Sequence, residues 1–376
     1  MAAFVDEVLA AASAAIGVPL ADSHDLGGSE RSAVRRCWTS DGGTVVVKTY
    51  PDSAEGRESF AAEAAGLALI GDAGTGPRLL AASQPDRLIV MTDLGSGPSL
   101  ADLLLGGTAD AAAEAVLAWA RACGELAVAT AGREAELVSL LARHRIAPES
   151  GLAAHWLERR IGEIPEILAE LSIPAPAGLA ADLAEVATIV RFGRYPVFSP
   201  GDICPDNNLL AERRVMFVDY ENAEFHSAFM DAAYLRMPFS TCWCVFRLPD
   251  SLQRSAERAY RDFVSRIHPD LRNDAVWHLG LRRAVAAWTL HAMTYLLDRA
   301  LLADQPTIDD GRAAPTKRQL LRYRWRQLID ELAPVPGASI GPEFPALDAL
   351  ARQLLASTEH WQVADLPLYP AFRSDS

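Results

Sequence analysis

Apolar residues recur with a helical period at the start of the chain and with a period of two soon after it. Phe4, Val5, Val8, Leu9 and Ala12 fall on one face of a helix over residues 1–17. Over 33–38 and 44–50 the pattern becomes that of strands, joined by an Asp41-Gly42-Gly43 hairpin turn, and Leu26-Gly27-Gly28-Ser29 reads as a turn ahead of them. In the strand over 44–50, Val45, Val47 and Thr49 face one way and Val46 and Lys48 the other. A helix over 58–70 follows, marked by Phe60, Ala64, Leu67 and Leu69, and then strands at 79–80 and 88–91. The stretch 92–98, with two glycines and a proline, breaks the pattern. After it helices dominate: 100–105, 110–128, 133–144, 153–171, 178–191, 251–267, 271–303, 317–332 and 345–357. These positions predict an α+β chain with a small strand-rich part over 1–94 and a larger, mostly helical part over 95–376.

One segment interrupts the helices. Residues 197–221 read VFSPGDICPDNNLLAERRVMFVDYE, a loop, a short hairpin and a second acidic loop. Asp202, Asn207 and Asp219 therefore reach one end of two adjacent strands. Oxygen ligands of this kind suit a hard cation such as Mg²⁺, which keeps several waters and needs one or two protein ligands. Asp and Asn are also ordinary turn residues, so the spacing alone leaves both readings open.

Composition sharpens a different residue. Of the 35 basic residues only Lys48 and Lys317 are lysines. A chain that uses arginine almost everywhere places a lysine inside an apolar strand at position 48. It is either a snorkelling strand residue or a compact ammonium that must reach phosphate oxygens. Glu63, mid-helix just downstream, is either its partner or a solvated helix acid. Backbone N–H groups at Gly27, Gly28 and Ser29 could face phosphate, although Gly-Gly is equally a plain turn. Arg318, Arg322 and Arg326 form a basic stripe that reads as the solvated face of an amphipathic helix.

The net charge of −14 argues against a nucleic-acid partner. The five cysteines are odd in number and scattered, as in a reducing cytoplasm. Cys242 and Cys244 have no second Cys/His pair at finger spacing. No apolar run reaches the ~18–20 residues of a membrane span, and the acidic N-terminus is unlike a signal peptide, so a cytoplasmic protein with no membrane partner is expected.

Taken together, a Lys48–Glu63 candidate pair, a break at 92–98, Asp202-x4-Asn207 and Val218-Asp219-Tyr220-Glu221 resemble the aminoglycoside phosphotransferase and choline kinase family. These are small-molecule relatives of the protein kinases, and the resemblance covers roughly residues 20–240. It implies a bilobal protein-kinase-like fold with a catalytic loop at 198–208 and a metal loop at 217–221. Asp202 would orient the attacking hydroxyl and accept its proton. Asn207 and Asp219, helped by Glu221, would hold Mg²⁺. Lys48, held by Glu63, would contact the phosphates of ATP or GTP under the Gly27–Ser29 loop. Thr92 to Leu94 would present backbone groups to the purine, and Asp231 would brace the catalytic loop. The acceptor would be a hydroxyl of an aminoglycoside or other antibiotic, as in antibiotic resistance, or of a choline-like amino alcohol or sugar.

Pro200 stands where the family usually has His, and Cys204 where His is frequent. Pro200 raises the alternative of a nucleotide-binding pseudokinase with a regulatory role, which the retained Asp202, Asn207, Asp219, Lys48 and Glu63 argue against. The short interval after Asp219 leaves no room for the activation segment of a protein kinase.

Overall fold

A computed structural model of the chain describes residues 2–29, 31–144, 154–190, 194–211, 213–237, 239, 241–308, 314–334 and 343–373. The chain forms two compact units. One comprises Met1–Leu100, Glu125–Gly151 and Phe198–Phe225, and the other Ala101–Gly124, Leu152–Val197 and His226–Ser376.

The first unit is built on an antiparallel sheet of β1 (Leu20–Ser29), β2 (Ser32–Thr39), β3 (Thr44–Thr49), β4 (Leu79–Ser83) and β5 (Leu88–Thr92), in the order β1-β2-β3-β5-β4. One face follows from the alternation along β3. Val45 and Val47 join Cys37, Leu88 and Val90 in a core closed by Val8 and Ala12 of helix α1 (Ala2–Ile16). Full burial of each such aliphatic side chain contributes about 1.5–3 kcal/mol. The register sets Lys48 opposite Val34 on one side and Ile89 on the other, on the central strand of the sheet. Helix α2 (Ala54–Ile70) starts where the Ser53 hydroxyl caps the Gly56 N–H, four residues before the expected start, and it carries the fully buried Glu63.

Two expectations need correction here. Leu26–Ser29 does not end a strand: β1 runs through to Ser29, and Gly27 and Gly28, at φ +97° and +144°, absorb a register shift instead. A Cβ at position 28 would lie 2.2 Å from the Ser32 carbonyl oxygen, so the hairpin closes only on glycine. The single helix expected over 153–171 is two, because Pro165 ends one and opens the next. In chain order the helical elements are α3 (Leu100–Gly106), α4 (Ala109–Ala129), α5 (Glu134–His144), α6 (Ala154–Gly162), α7 (Ile164–Glu170) and α8 (Leu179–Ala187). Residues 153 and 191 of these expected spans lie outside the described residues.

Strands β6 (Pro196–Ser199), β7 (Asn208–Ala211), β8 (Arg214–Phe217) and β9 (Glu224–Ser227) follow, with β7 and β8 paired as the expected hairpin. The second unit is helical: α9 (Ala228–Arg236), α10 (Asp250–Ile267), α11 (Asp274–Leu302), α12 (Lys317–Leu332) and α13 (Pro345–Ser357) complete it around α11, which is buried on nearly every face. Leu321, Trp325 and Leu328 of α12 are buried as the pattern predicts. The arginine stripe on α12 is not simply solvated. Arg318 donates to the Ala300 carbonyl at 2.8 Å and Arg322 to the Leu355 carbonyl at 3.0 Å, satisfying carbonyls near the ends of α11 and α13. Among the described residues no helix is long and apolar enough to cross a membrane.

Candidate active site

Lys48 is buried, and its ammonium lies 2.6 Å from Glu63 Oε2, 2.8 Å from Asp219 Oδ1 and 3.5 Å from Glu221 Oε2. The side chain is not a snorkelling surface lysine. Strand β3 aims it away from the Val45–Val47 core, α2 brings Glu63 to it, and the turn after β8 supplies the other two carboxylates. Burial alone would lower the ammonium's pKa, but Glu63, Asp219 and Glu221 outweigh it and hold Lys48 charged above its usual value. Burial pushes Glu63 up to about 7 against the pull of Lys48. Oε2 accepts from both Lys48 and the Tyr50 hydroxyl, so the ionised carboxylate is the species this geometry fits.

Tyr50 was not among the expected site residues. It is fully buried, and burial followed by the Glu63 charge raises its phenol well above the ordinary value, keeping it a donor. The signal was present: two residues beyond Lys48, it shares that face of the strand.

Asp202 and Asn207 sit on the loop before β7. The loop folds back on itself: Cys204 N–H donates to Asp202 Oδ1 at 3.3 Å, and Asn207 Nδ2 to the Asp202 carbonyl at 3.3 Å. Gly201 adopts φ +84°, and a Cβ there would stand 2.0 Å from the Asn222 carbonyl oxygen, so this loop is seated directly on the turn that follows Asp219. The Asn207 carbonyl accepts from Val218 N–H at 3.2 Å, which sets Asn207 beside the strand end that delivers Asp219. Burial raises the Asp202 pKa, the Asp219 charge adds to it, and the Cys204 bonds oppose it. Asn208, also unforeseen, is a purely structural neighbour, its amide spanning the Cys204 and Pro205 carbonyls and the Leu100 N–H.

At the Pro200 departure the loop is held by packing. The Phe198 ring stacks on Tyr220 with 16° between planes and packs against Phe225, and Ser199 Oγ accepts from Gly201 N–H at 3.3 Å.

The remaining expected residues are placed as follows. Thr92 donates its N–H to the Arg78 carbonyl at 3.0 Å and accepts Arg78 N–H on its hydroxyl at 2.9 Å, so those two groups are committed. Asp93, between Thr92 and Leu94, is gripped by Arg36 at 2.6 and 3.0 Å, and Arg36 also reaches the Gly95 carbonyl at 2.6 Å. Gly27 N–H is taken by Asp25 Oδ1 at 2.8 Å, and Gly28 and Ser29 of the expected phosphate-facing set pair with Ala33 and Ser32 across the β1–β2 ladder. In the second unit Asp231 accepts from Tyr260 at 3.4 Å and pairs with His226 at 2.8 Å.

The donor set suits cations. Carboxylate oxygens of Glu63, Asp219 and Glu221 lie within 4.8 Å of one another. Glu63 Oε1 is buried without a hydrogen-bond partner, and Glu221 Oε2 makes no hydrogen bond, with the Lys48 ammonium 3.5 Å away. Lys48 already neutralises the interior of this cluster. Asp219, whose side chain is 23% exposed against 3% for Glu221, presents the accessible carboxylate next to Asn207.

No family model matches this sequence, and no curated protein is similar to it. Solved structures are. A candidate aminoglycoside phosphotransferase of Ralstonia eutropha is 13% identical, with a TM-score of 0.53 over 93% of this chain and 97% of its own. A candidate fructosamine-3-kinase of Thermobifida fusca is 19% identical, with a TM-score of 0.47 over 86% and 99% of the two chains. A macrolide 2'-phosphotransferase of Brachybacterium faecium is 15% identical, with a TM-score of 0.49 over 78% and 93%. At these identities the likeness is one of fold.

Proposed function

This chain has the α+β, protein-kinase-like fold of the Ralstonia protein, and from that premise we propose that it is a Mg²⁺-dependent kinase. It would transfer the γ-phosphoryl group of ATP or GTP to a hydroxyl of a small molecule. The observation that carries the reading is the Lys48 ammonium clamped between Glu63 and Asp219 on the central strand of the sheet. Fold alone would not require a buried lysine among three carboxylates. A nucleotide site does, because it needs a fixed positive charge at the phosphates beside acidic metal ligands.

In this reading Lys48 meets the phosphates, and Glu63 with Tyr50 fixes where it points. Asn207 and Asp219, with Glu221 behind them, would hold Mg²⁺, and the ion would supply neutralisation of the triphosphate charge. The solvent-facing side of Asp219 is the open one, since its inner oxygen is occupied by Lys48. Asp202 orients the acceptor hydroxyl and takes its proton. Burial holds its carboxyl above the ordinary aspartate range, which makes it a stronger base than a surface aspartate. Leu94 and the Thr92 carbonyl remain for the purine, on a segment stiffened by the Arg36–Asp93 pair. The acceptor is an aminoglycoside or another hydroxyl-bearing antibiotic, with a choline-type amino alcohol or a sugar as the second class.

The test is a panel of antibiotics, amino alcohols and sugars incubated with Mg·ATP or Mg·GTP and read by mass for phosphoryl gain. Asp202→Asn should lower turnover by ~10²-fold or more with nucleotide affinity unchanged. Wild-type turnover in Asp202→Asn would remove the catalytic assignment. A wild-type protein that binds nucleotide but phosphorylates nothing in the panel would favour the pseudokinase alternative.

A further inference from the structure

Among the described residues two cations face the acidic cluster, and they are held very differently. Lys48 is buried and committed to Glu63 and Asp219 at 2.6 and 2.8 Å. Arg31 comes from the tip of the β1–β2 hairpin, just past Gly27 and Gly28, and its Nη1 lies 2.8 Å from Glu221 Oε1. The Arg31 side chain is 45% exposed and that of Glu221 is 3% exposed. One end of this ion pair is therefore fixed in the unit's interior, and the other rides on a hairpin closed by two glycines at positive φ.

Charge makes this contact temporary once a nucleotide arrives. Glu63, Asp202, Asp219 and Glu221 bring four carboxylates to the site, against the cations of Lys48 and Arg31. A triphosphate adds several more negative charges, and Lys48 has no unused direction in which to meet them all. Mg²⁺ on the Asp219–Glu221 side would compete with Arg31 for Glu221. The guanidinium then has phosphate oxygens as the better partner, because its planar fork matches them and a half-exposed ion pair is held weakly. Arg31 follows the segment whose Gly28 and Ser29 are expected over the phosphates.

We propose that Arg31 is a phosphate-binding residue of the nucleotide site, which the free protein parks on Glu221. It transfers to the terminal phosphates of bound Mg·nucleotide. This rests on the kinase reading above and extends it to a residue outside the Lys48–Asp219 machinery. Arg31 thereby links occupation of the metal side to contact with the phosphates: as long as Glu221 has no other cation, Arg31 stays on that carboxylate.

The experiment measures binding, by calorimetry, of Mg²⁺ complexes of non-hydrolysable ATP and GTP analogues and of adenosine and guanosine. The proteins are wild type, Arg31→Ala and Arg31→Lys, with melting curves recorded without ligand. Arg31→Ala should weaken the triphosphate analogue by ~10-fold or more, the loss of one charge-assisted contact. Nucleoside binding and the ligand-free melting temperature should be unchanged, and Arg31→Lys should fall between. Equal or tighter triphosphate binding by Arg31→Ala overturns the proposal and leaves the kinase reading standing. Loss of nucleoside binding in step with triphosphate binding also overturns it, since Arg31 would then be shaping the whole site. Failure of the wild-type protein to bind either triphosphate would instead sink the kinase reading itself.

Discussion

Gly66 lies in the middle of α2, where glycine is less favourable than alanine by about 1 kcal/mol. Its place there is set by what the helix packs on. A Cβ at position 66 would stand 2.6 Å from the Ala223 Cβ and 3.4 Å from the Tyr220 Cβ. Ordinary van der Waals contact begins near 3.4 Å, so α2 would have to withdraw by 0.8 Å (3.4 minus 2.6) from the 220–223 turn. Glu63 is one helical turn before Gly66, and Glu221 is two residues before Ala223. The withdrawal is therefore felt at the Lys48–Glu63 contact of 2.6 Å, which must lengthen or tilt.

The consequences for stability and for rate separate. Overpacking costs about 1–3 kcal/mol, partly offset by the better helix propensity of alanine, so Gly66→Ala should lose no more than about 2 kcal/mol. A misplacement near 1 Å in a catalytic constellation costs ~10²-fold in rate. We expect Gly66→Ala to remain folded in urea titrations while Mg·nucleotide-dependent turnover falls ~10- to 10²-fold. Adding Ala223→Gly removes the atom at 2.6 Å and leaves the new Cβ at 3.4 Å from Tyr220, which should bring the rate back toward wild type. Wild-type turnover in the single variant, or a double variant no better than the single, would refute the claim that this contact positions Glu63.

Lys48→Arg should keep the fold and lose ~10²-fold in turnover, because a planar guanidinium cannot hold Glu63 and Asp219 at 2.6 and 2.8 Å together; steady-state kinetics near wild type would return Lys48 to a structural role. His291, ringed by Trp156, Trp288 and Tyr295, has a buried Nδ1 without a hydrogen-bond partner among the described residues, and its pKa is pushed down to about 3, first by burial and then by Arg324 and Arg160. Below pH ~6.5 the unfolded chain takes up a proton that the folded unit refuses, so stability is lost as pH falls from ~6.5 toward 3, by about 2 kcal/mol at pH 5. His291→Phe should flatten that slope in urea titrations at pH 7, 6 and 5, and an unchanged slope would disprove the assignment.

What the sequence made legible was what periodicity and composition encode locally. Alternation along 44–50 put Val45 and Val47 into a core and Lys48 on the opposite face, as the sheet has them. The rarity of lysine singled out position 48 before any contact was known. Where the reading missed, the physics was non-local or the signal was short. Strands β6 and β9 have four residues each, and β9 is buried at every position, so no alternation exists to be read. Arg31 meets Glu221 across 190 positions of chain (221 minus 31), and nothing near Arg31 marks it among 33 arginines. A Gly27-Gly28 pair reads as a turn because glycines commonly end strands. Here they bulge one, and the strand continues.

The separate pieces of the site owe their alignment to a single turn. Residues 220–223 receive α2 through the missing side chain of Gly66 and the Asp202 loop through that of Gly201, whose own Cβ would collide with the Asn222 carbonyl. Phe198 stacks on Tyr220 from the same turn. Glu63, Asp202 and Asp219 are thus each one or two side chains from a common support, although they are far apart in sequence. That arrangement holds the loop with Pro200 in place. A histidine in that position would add a hydrogen bond, but the loop's height above Asp219 is already fixed by the Gly201–Asn222 contact and its lateral position by the Phe198 ring. Proline restricts φ, needs no partner for an N–H it lacks, and leaves both contacts intact. The Asp202 loop is therefore positioned by close backbone approach rather than by a polar side chain, and its geometry depends on Gly201 and the Phe198 ring.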